Sequence, residues 1–253
     1  MLVFLSKEFT LRFNIDKDDV KLMELSGLIT EKFHNVNGIV LNFNPHKTNE
    51  IFGKENILVW GNDFIEDEIN GVSFKISPKS FFQPNGGRAI EDYCRKALEA
   101  ADLQADDDLI DAYCGVGSFG LIAADKVKSV RGVDSERTAI EDARFNTKKN
   151  KVENANFYIG NADQVMNRLA KNNESTSVII ATAPKKGLLK GFIEASVKMQ
   201  PREFIYLSFN PDTLVCDLKL FKQNGYETKA ITPIDVAPQT PDMMCICRLD
   251  KEN

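Results

Sequence analysis

The sequence has no apolar run approaching the roughly 18 residues that a membrane span requires, and "MLVFLS" is too short for a signal-peptide core before the charged Lys7 and Glu8. Neither a membrane-spanning nor a secreted chain is expected, and a cytoplasmic location is the default. Histidine is nearly absent, only His34 and His46. The five cysteines (Cys94, Cys114, Cys216, Cys245, Cys247) are odd in number, scattered and without a CxxC pair. No metal site and no disulfide framework follow from such a pattern. Positive charge is not in excess either: 32 Lys and Arg against 37 Asp and Glu leave a net charge of −5. That balance argues against strong non-specific attraction to nucleic-acid phosphates, although a local basic patch is compatible with it. Internal repeats and low-complexity segments are absent as well.

What is present is a chain of 253 residues, 43% of them apolar, long enough for one large domain or two modest ones with a real core. Its texture changes near residues 85 to 90. Before that point, short alternating runs such as "FTLRFNI" (9–15), "NGIVLNFN" (37–44), "NILVWG" (56–61) and "GVSFKIS" (71–77) read as strands, with one helix across 20–33. Residues 1–85 are therefore expected to form a small α+β domain with a largely antiparallel sheet. After it, apolar strands at 108–114, 130–135, 156–160, 177–183 and 204–210 alternate with helical segments. The chain closes with strands near 228–233 and 243–249. Continuous apolar strands separated by helices predict a parallel sheet covered on both faces, so residues 86–253 are expected to form a Rossmann-like α/β domain.

The most informative stretch is "LIDAYCGVGSFGLIAA" (109–124). It places Asp111 at a strand end, Tyr113 in the turn, glycines at 115, 117 and 120, and then a helix. Glycine there permits close approach of the backbone to a ligand and conformations that a Cβ forbids. Asp134 ends the next strand in "GVDSE", positioned to accept hydrogen bonds from a ribose. One strand later "GNADQ" offers Asn161 and Asp163 to read an adenine edge, with a helix N-cap as the plain alternative for Asp163. A lone G-x-G is weak, but strand, glycine loop, helix, strand and acid in this order make a stronger signal. An acid before the glycines favours S-adenosylmethionine over a pyrophosphate-containing cofactor.

At this point the chain resembles the RNA uracil-C5 methyltransferase family, whose members make 5-methyluridine in transfer and ribosomal RNA. The resemblance is collinear over "GIVLNFNPHKTNEIFGKE" (38–55), "FKISPKSFFQPN" (74–85), "DAYCGVGSFGL" (111–121), the long stretch 131–163, "PKKGL" (184–188), "YLSFNPDTLVCDL" (206–218) and "PQT" (238–240). It implies a Rossmann-like S-adenosylmethionine methyltransferase fold behind a smaller N-terminal α+β domain. It also places Gln83, from the "FFQ" segment, with Asp111, Tyr113, Gly115, Gly117, Asp134, Asn161 and Asp163 in the cofactor site. The implied partner is tRNA or rRNA. Affinity is expected to be weaker because the family's N-terminal RNA-binding barrel and iron–sulfur cysteine cluster have no counterpart in this sequence.

The family's reaction needs a cysteine thiolate to add to uracil C6, because C5 is a poor nucleophile, and then a base to take the C5 proton. Where family members carry "SCNP" this sequence reads "SFNP", so Phe209 stands at the nucleophile position. Met244 stands at the position of the basic glutamate, and Asp242 replaces a histidine. "DPPR" has become "TAPK", with Thr182 for the aspartate and Lys185 for the arginine. Neither phenylalanine nor methionine can do the original work. The expectation is an S-adenosylmethionine-binding protein degenerate for uracil methylation. The alternative is an active methyltransferase whose acceptor is already nucleophilic and needs no covalent enzyme intermediate. Cys245 or Cys247 as a replacement nucleophile is disfavoured, since alternation along a strand turns both away from the face that Met244 shares.

Overall fold

The computed structural model describes residues 2–5, 10–13, 21–43, 53, 55–82, 88–235, 239 and 243–252. Two compact units emerge: residues 1–67 with 75–80, and residues 68–74 with 81–253. Among the described residues no helix is long and apolar enough to cross a membrane.

The first unit holds strands β1 (Leu2–Leu5), β2 (Thr10–Phe13), β3 (Gly38–Phe43) and β4 (Glu55–Gly61), with helix α1 (Lys21–Lys32). The strands form one antiparallel sheet in the order β2-β1-β3-β4. Its centre is β3, where Ile39 and Val40 are buried. Buried Asn42 on the same strand is held at both ends of its amide. Its Nδ2 donates to the Gly53 carbonyl at 3.1 Å, and its Oδ1 accepts the Gly53 N–H at 2.8 Å. A polar side chain can be buried there because its hydrogen bonds are made.

Strands β5 (Ile65–Ile69) and β6 (Val72–Ile76) form a two-stranded ribbon. Asn70 and Gly71 between them have φ of 50° and 80°, the left-handed pair that a two-residue hairpin turn demands. The Asn-Gly dipeptide was the available sequence signal for β5, which periodicity alone does not reveal because "IEDEI" carries three acids.

The second unit opens with helix α2 (Arg88–Ala100) and then runs β7 (Asp108–Ala112), α3 (Ser118–Ala123), β8 (Ser129–Asp134), α4 (Arg137–Lys149), β9 (Ala155–Ile159), α5 (Ala162–Lys171), β10 (Val178–Thr182), α6 (Lys190–Lys198), β11 (Glu203–Ser208), α7 (Pro211–Gln223), β12 (Tyr226–Ile234) and β13 (Met244–Lys251). The seven strands form one sheet in the order β12-β13-β11-β10-β7-β8-β9. Neighbours from β11 to β9 are parallel, whereas β13 runs antiparallel to both β11 and β12. This last reversal differs from the expected all-parallel reading. Strand direction is not written in apolarity, and an antiparallel return needs no crossover helix.

Burial explains why these segments became strands. All six residues of β11 are buried, as are four of five in β10, so both faces of the sheet centre are covered. On one face an aromatic chain runs from Tyr113 through Phe192, Phe204 and Phe221 to Tyr226, with successive ring centroids 5.4, 6.4, 4.7 and 6.2 Å apart. Cys245 and Cys247 face this core. At the β9 edge, Arg144 donates from Nε and Nη2 to the Phe157 carbonyl at 2.9 and 2.8 Å, covering an otherwise open acceptor.

Candidate functional site

The chain builds β7, β8 and β9 outward in one direction and then returns to lay β10 on the other side of β7. In open sheets of this kind the crevice lies beyond the strand carboxyl ends at that reversal. Two elements meet there: the glycine loop after Ala112, and Thr182 at the end of β10, one step beyond the Ala181–Ala112 pairing.

The glycine loop is held by a small set of bonds. Tyr113, Gly115 and Gly117 all have positive φ (59°, 54° and 86°), so the chain leaves β7 in a sharp turn. A non-glycine residue in this conformation is strained, and sequence reasoning had no signal for it at Tyr113. The Gly115 N–H donates to Asp134 Oδ2 at 2.9 Å, and the Glu136 N–H donates to Asp134 Oδ1 at 2.9 Å. Asp134 thus ties the loop to the end of β8, and each carboxylate oxygen keeps a second lone pair for a ligand hydroxyl.

The glycines serve protein packing as well as the ligand approach expected of them. A Cβ on Gly117 would lie 2.8 Å from the Phe157 ring, and one on Gly132 would lie 2.2 Å from the same ring. Phe157 therefore occupies room that two glycines leave open. A Cβ on Gly120 would lie 2.8 Å from Val130, and on Gly115 it would lie 3.1 Å from the Phe81 carbonyl. The "FF" of the "FFQ" segment consequently runs directly over the loop. Gln83 itself, like Asp242, falls outside the described residues.

Asp111 is completely buried on β7. Its Oδ2 accepts the Gly120 N–H at 2.8 Å, while Oδ1 has no partner among the described residues. Burial pushes its carboxyl up to about 7, the Gly120 hydrogen bond opposes that shift, and the nearby Asp134 carboxylate adds to it. An orphaned, desolvated carboxylate oxygen is costly unless a donor or cation meets it. Burial likewise pushes the Tyr113 phenol up to about 12, helped by Asp163 and Asp134.

At the end of β9 the structure assigns the helix cap differently from the alternative raised for Asp163. Asn161 is the N-cap of α5, its Oδ1 accepting the Asp163 N–H at 3.0 Å. Asp163 sits inside the first turn, half-buried, with Oδ1 accepting from Asn167 Nδ2 at 3.2 Å. Asparagine caps as well as aspartate does, and the helix begins two residues earlier than an Asp163 cap would start it.

The three positions that the resemblance aligns with the family's reactive residues lie on neighbouring strand ends. Thr182 closes β10 opposite Leu207 of β11; Ser208 closes β11 opposite Cys245 of β13. Phe209 follows Ser208 and Met244 precedes Cys245, so the antiparallel register brings their positions side by side. Met244 is 1% exposed, and Phe209 and Thr182 are half-buried. The Phe209 ring meets the Phe81 ring edge to face, with centroids 6.3 Å apart and planes at 86°. A cavity of about 40 Å³ has Tyr93, Tyr113, Gly115, Phe81 and Thr182 in its lining and so joins the glycine loop to this group.

No thiol among the described residues of this crevice is activated. Burial pushes Cys94 and Cys247 up to about 12 and raises Cys245, and the buried Cys114 thiol is raised further by the Asp111 and Asp134 carboxylates. A cysteine nucleophile needs the opposite surroundings, electropositive and accessible. Cys245 and Cys247 are core residues, as strand alternation implied.

A sheet in this order, closed by an antiparallel β13 and carrying an acid–glycine loop with a second acid at the next strand end, defines a Rossmann-like methyltransferase fold. The sequence model of tRNA (uracil-5-)-methyltransferases matches residues 52–252, and the chain belongs to that family. It is 45% identical to an uncharacterized RNA methyltransferase of Lactobacillus johnsonii over 94% of this chain and 52% of that protein. With one of Oceanobacillus iheyensis it shares 40% identity over 98% of this chain and 52% of the relative. The chain thus spans about half the length of the curated relatives it matches. Among solved structures it is similar to the Pyrococcus abyssi tRNA (uracil-54, C5)-methyltransferase in complex with S-adenosyl-L-homocysteine. The TM-score is 0.71 and the identity 27%, covering 95% of this chain and 54% of that one.

Proposed function

We propose that the chain binds S-adenosylmethionine in the crevice above β7 and β8 and acts on RNA as a member of its family without forming 5-methyluridine. The observation that carries the first half is the unpartnered Oδ1 of fully buried Asp111. S-adenosylmethionine carries a sulfonium and an ammonium, and a cation is what a desolvated carboxylate lacks. Around it, Asp134 has lone pairs free for ribose hydroxyls and Asn161 and Asp163 stand at the next strand end for the adenine, with Gly115 and Tyr113 shaping the turn between. When bound, the cofactor supplies an electrophilic methyl group; the chain's own residues hold and orient it and exclude water from the loop.

The second half rests on the grouping of Phe209, Met244 and Thr182 at three adjacent strand ends. Phenylalanine and methionine can neither add to uracil C6 nor remove the C5 proton. Calorimetric titration with S-adenosylmethionine, alongside nucleoside mass spectrometry of tRNA and rRNA incubated with protein and cofactor, tests both halves. Binding with no 5-methyluridine is expected; absence of binding removes the first half and 5-methyluridine on any RNA removes the second.

The cavity reaching from Gly115 to Thr182 and Phe81 favours a second reading, because it joins the cofactor side of the crevice to the acceptor side. On that reading the chain methylates an acceptor that is already nucleophilic, by proximity and orientation alone. Release of label from methyl-labelled S-adenosylmethionine, compared between RNA-depleted and small-molecule-depleted cell extracts, separates a transferase from a binding protein.

A further inference from the structure

We infer that the groove between strands β8 and β9 and helix α5 is a second ligand site, built for a small planar aromatic carboxylate. The inference is independent of the cofactor reading, because the groove runs along the strands on the α5 face, whereas the cofactor residues stand at the strand ends. Parallel pairing sets Ile110 beside Arg131 and Val133 beside Tyr158, and alternation along β8 puts Arg131 and Val133 on one face. Helix α5 presents Val165, Arg168 and Leu169 to that face at the i, i+3, i+4 spacing of a single helical stripe. Tyr158 stands on β9, the edge of the sheet, and stays 44% exposed instead of packing under α5. These groups line a cavity of about 210 Å³. An apolar cavity of roughly 150 Å³ accepts benzene, so this one has room for a single aromatic ring with one substituent.

Charge selects the substituent. A guanidinium on a strand face beside Ile110 and Val133 is costly unless paired. Arg131 is paired: Nη1 donates to Glu174 Oε2 at 2.6 Å and Nη2 to the Ser175 carbonyl at 3.1 Å. The carboxylate of the groove is therefore engaged already. The second guanidinium of the lining, Arg168, is exposed and makes no ion pair or side-chain hydrogen bond among the described residues. Two guanidiniums against one carboxylate leave one positive charge uncompensated, which fits a monoanion. A carboxylate accepts two parallel hydrogen bonds from the planar guanidinium fork.

The walls select the ring. Tyr158 offers its aromatic surface on the open side, with Leu169 on α5 and the buried Ile110 and Val133 completing an apolar lining. Aromatic pairs gain from offset or edge-to-face contact beyond the area they bury, and a guanidinium also stacks on an aromatic face. A flat ring beside Tyr158 with its carboxylate at Arg168 uses the aromatic surface, the apolar lining and the uncompensated charge together. An aliphatic acid forgoes the first of these, and a neutral arene forgoes the last.

The experiment is fluorine NMR titration of the full chain with 4-fluorobenzoate, 4-fluorobenzyl alcohol and trifluoroacetate, each with and without excess S-adenosylhomocysteine. Saturable binding of 4-fluorobenzoate is expected, tighter than that of the neutral alcohol or the ringless anion and unchanged by S-adenosylhomocysteine. Arg168→Gln should weaken 4-fluorobenzoate roughly 2- to 5-fold, the range of an exposed ion pair, and leave the alcohol unchanged. Arg168→Lys keeps the charge without the fork and should fall between. Tyr158→Leu should weaken both ring-bearing probes roughly 2- to 10-fold and leave trifluoroacetate unchanged. Arg168 is exposed, so its variants keep the test open should Tyr158→Leu misfold. No saturable binding of 4-fluorobenzoate, equal affinity for the alcohol, displacement by S-adenosylhomocysteine, or indifference to both Arg168→Gln and Tyr158→Leu overturns the site. Calorimetry with S-adenosylhomocysteine alone reports on the cofactor reading separately, since neither Arg168 nor Tyr158 is placed at the cofactor.

Discussion

Asp111 Oδ2 accepts the backbone N–H of Gly120 at 2.8 Å, while its other oxygen is equally inaccessible and meets no partner among the described residues. The pair links strand β7 to helix α3 at the point where the glycine loop turns. A Cβ on Gly120 would come within 3.1 Å of that carboxylate, so the helix can approach only because residue 120 is glycine. Three properties meet in this one contact: a strand-end acid, a glycine required by packing, and a carboxyl displaced to about 7.

The displaced carboxyl predicts the direction of a stability profile. In the unfolded chain Asp111 loses its proton near 3.8, whereas in the folded protein it holds it to about 7. The folded state therefore binds more protons across that window, and stability falls as pH rises from about 4 to about 7, by at most about 1.4 kcal/mol per pH unit. Asp111→Asn keeps an oxygen for the Gly120 N–H and carries no charge. Urea unfolding at pH 5 and pH 8 should find the variant more stable than the native chain at both, by a clearly wider margin at pH 8.

On the proposed cofactor site, the same group should also set the pH dependence of cofactor binding. A cationic ligand favours ionised Asp111, so S-adenosylmethionine affinity should fall about tenfold per unit below about pH 7 and level off above it. In Asp111→Asn the affinity should be lower at pH 8 and nearly independent of pH. Calorimetry at pH 6 and pH 8 on both proteins checks the slope, and an unchanged slope in the variant would assign it to another group.

Phe157 and Gly132 give a packing prediction with a built-in control. An alanine at 132 would place its Cβ 2.2 Å from the Phe157 ring, an overlap that well-packed interiors relieve only by moving side chains, at about 1–3 kcal/mol. Gly132→Ala should destabilise by that order. Phe157→Leu costs stability alone, but should cost less in the Gly132→Ala background because the smaller side chain relieves the clash. At Gly117, whose φ is 86°, the same leucine should rescue less, since backbone strain remains after the ring is gone. A double-mutant cycle by urea denaturation reads both couplings.

These contacts show where sequence reasoning reached and where it stopped. From residue 88 onward the expected helices and strands coincide with the observed ones to within a few residues, because strands such as "VIIAT" and "FIYLS" are buried on both faces and apolar throughout. The direction of β13 was not legible, since pairing sense depends on the connection rather than on side chains. Strand β1 was missed for its shortness, and β5 for its acids. In the site, the strand-end acids were visible as strand-end acids. That Gly117 and Gly132 make room for the same ring was not, because residues 117, 132 and 157 become neighbours only through parallel pairing of β7, β8 and β9. The Asn161 cap was hidden for a simpler reason: Asn161 and Asp163 can both cap, and the two positions differ by only two residues.

Asp217 offers a prediction on the "PKKGL" turn. Its Oδ2 accepts from the Leu188 N–H at 2.8 Å and from the Tyr206 hydroxyl at 2.6 Å, and Tyr206 is fully buried. Burial first and this hydrogen bond second raise the Tyr206 phenol above its ordinary value. Asp217→Ala leaves a buried hydroxyl and an amide unsatisfied and should cost about 2–4 kcal/mol, with faster hydrogen exchange across residues 184–189. Adding Tyr206→Phe should return part of the stability while leaving the exchange fast, because the phenol no longer needs an acceptor but the turn has still lost its anchor.

Restoring the family's residues tests whether the acceptor side still admits uracil, and burial dictates the order of events. Met244 is 1% exposed, so Met244→Glu alone buries a carboxyl, raises its pKa, and should destabilise the chain more at pH 8 than at pH 5. Phe209→Cys alone restores a thiol but no base and should yield no 5-methyluridine. In the triple variant with Thr182→Asp, the shorter cysteine opens space beside residue 244, so the glutamate should cost less stability than it does alone. Because the three side chains would then stand on adjacent strand ends next to the glycine loop, detectable 5-methyluridine is expected by nucleoside mass spectrometry of RNA incubated with S-adenosylmethionine. A triple variant that binds the cofactor, folds with the expected pH profile and still forms none would show that the Phe81 side of the crevice has been reshaped for a different ring.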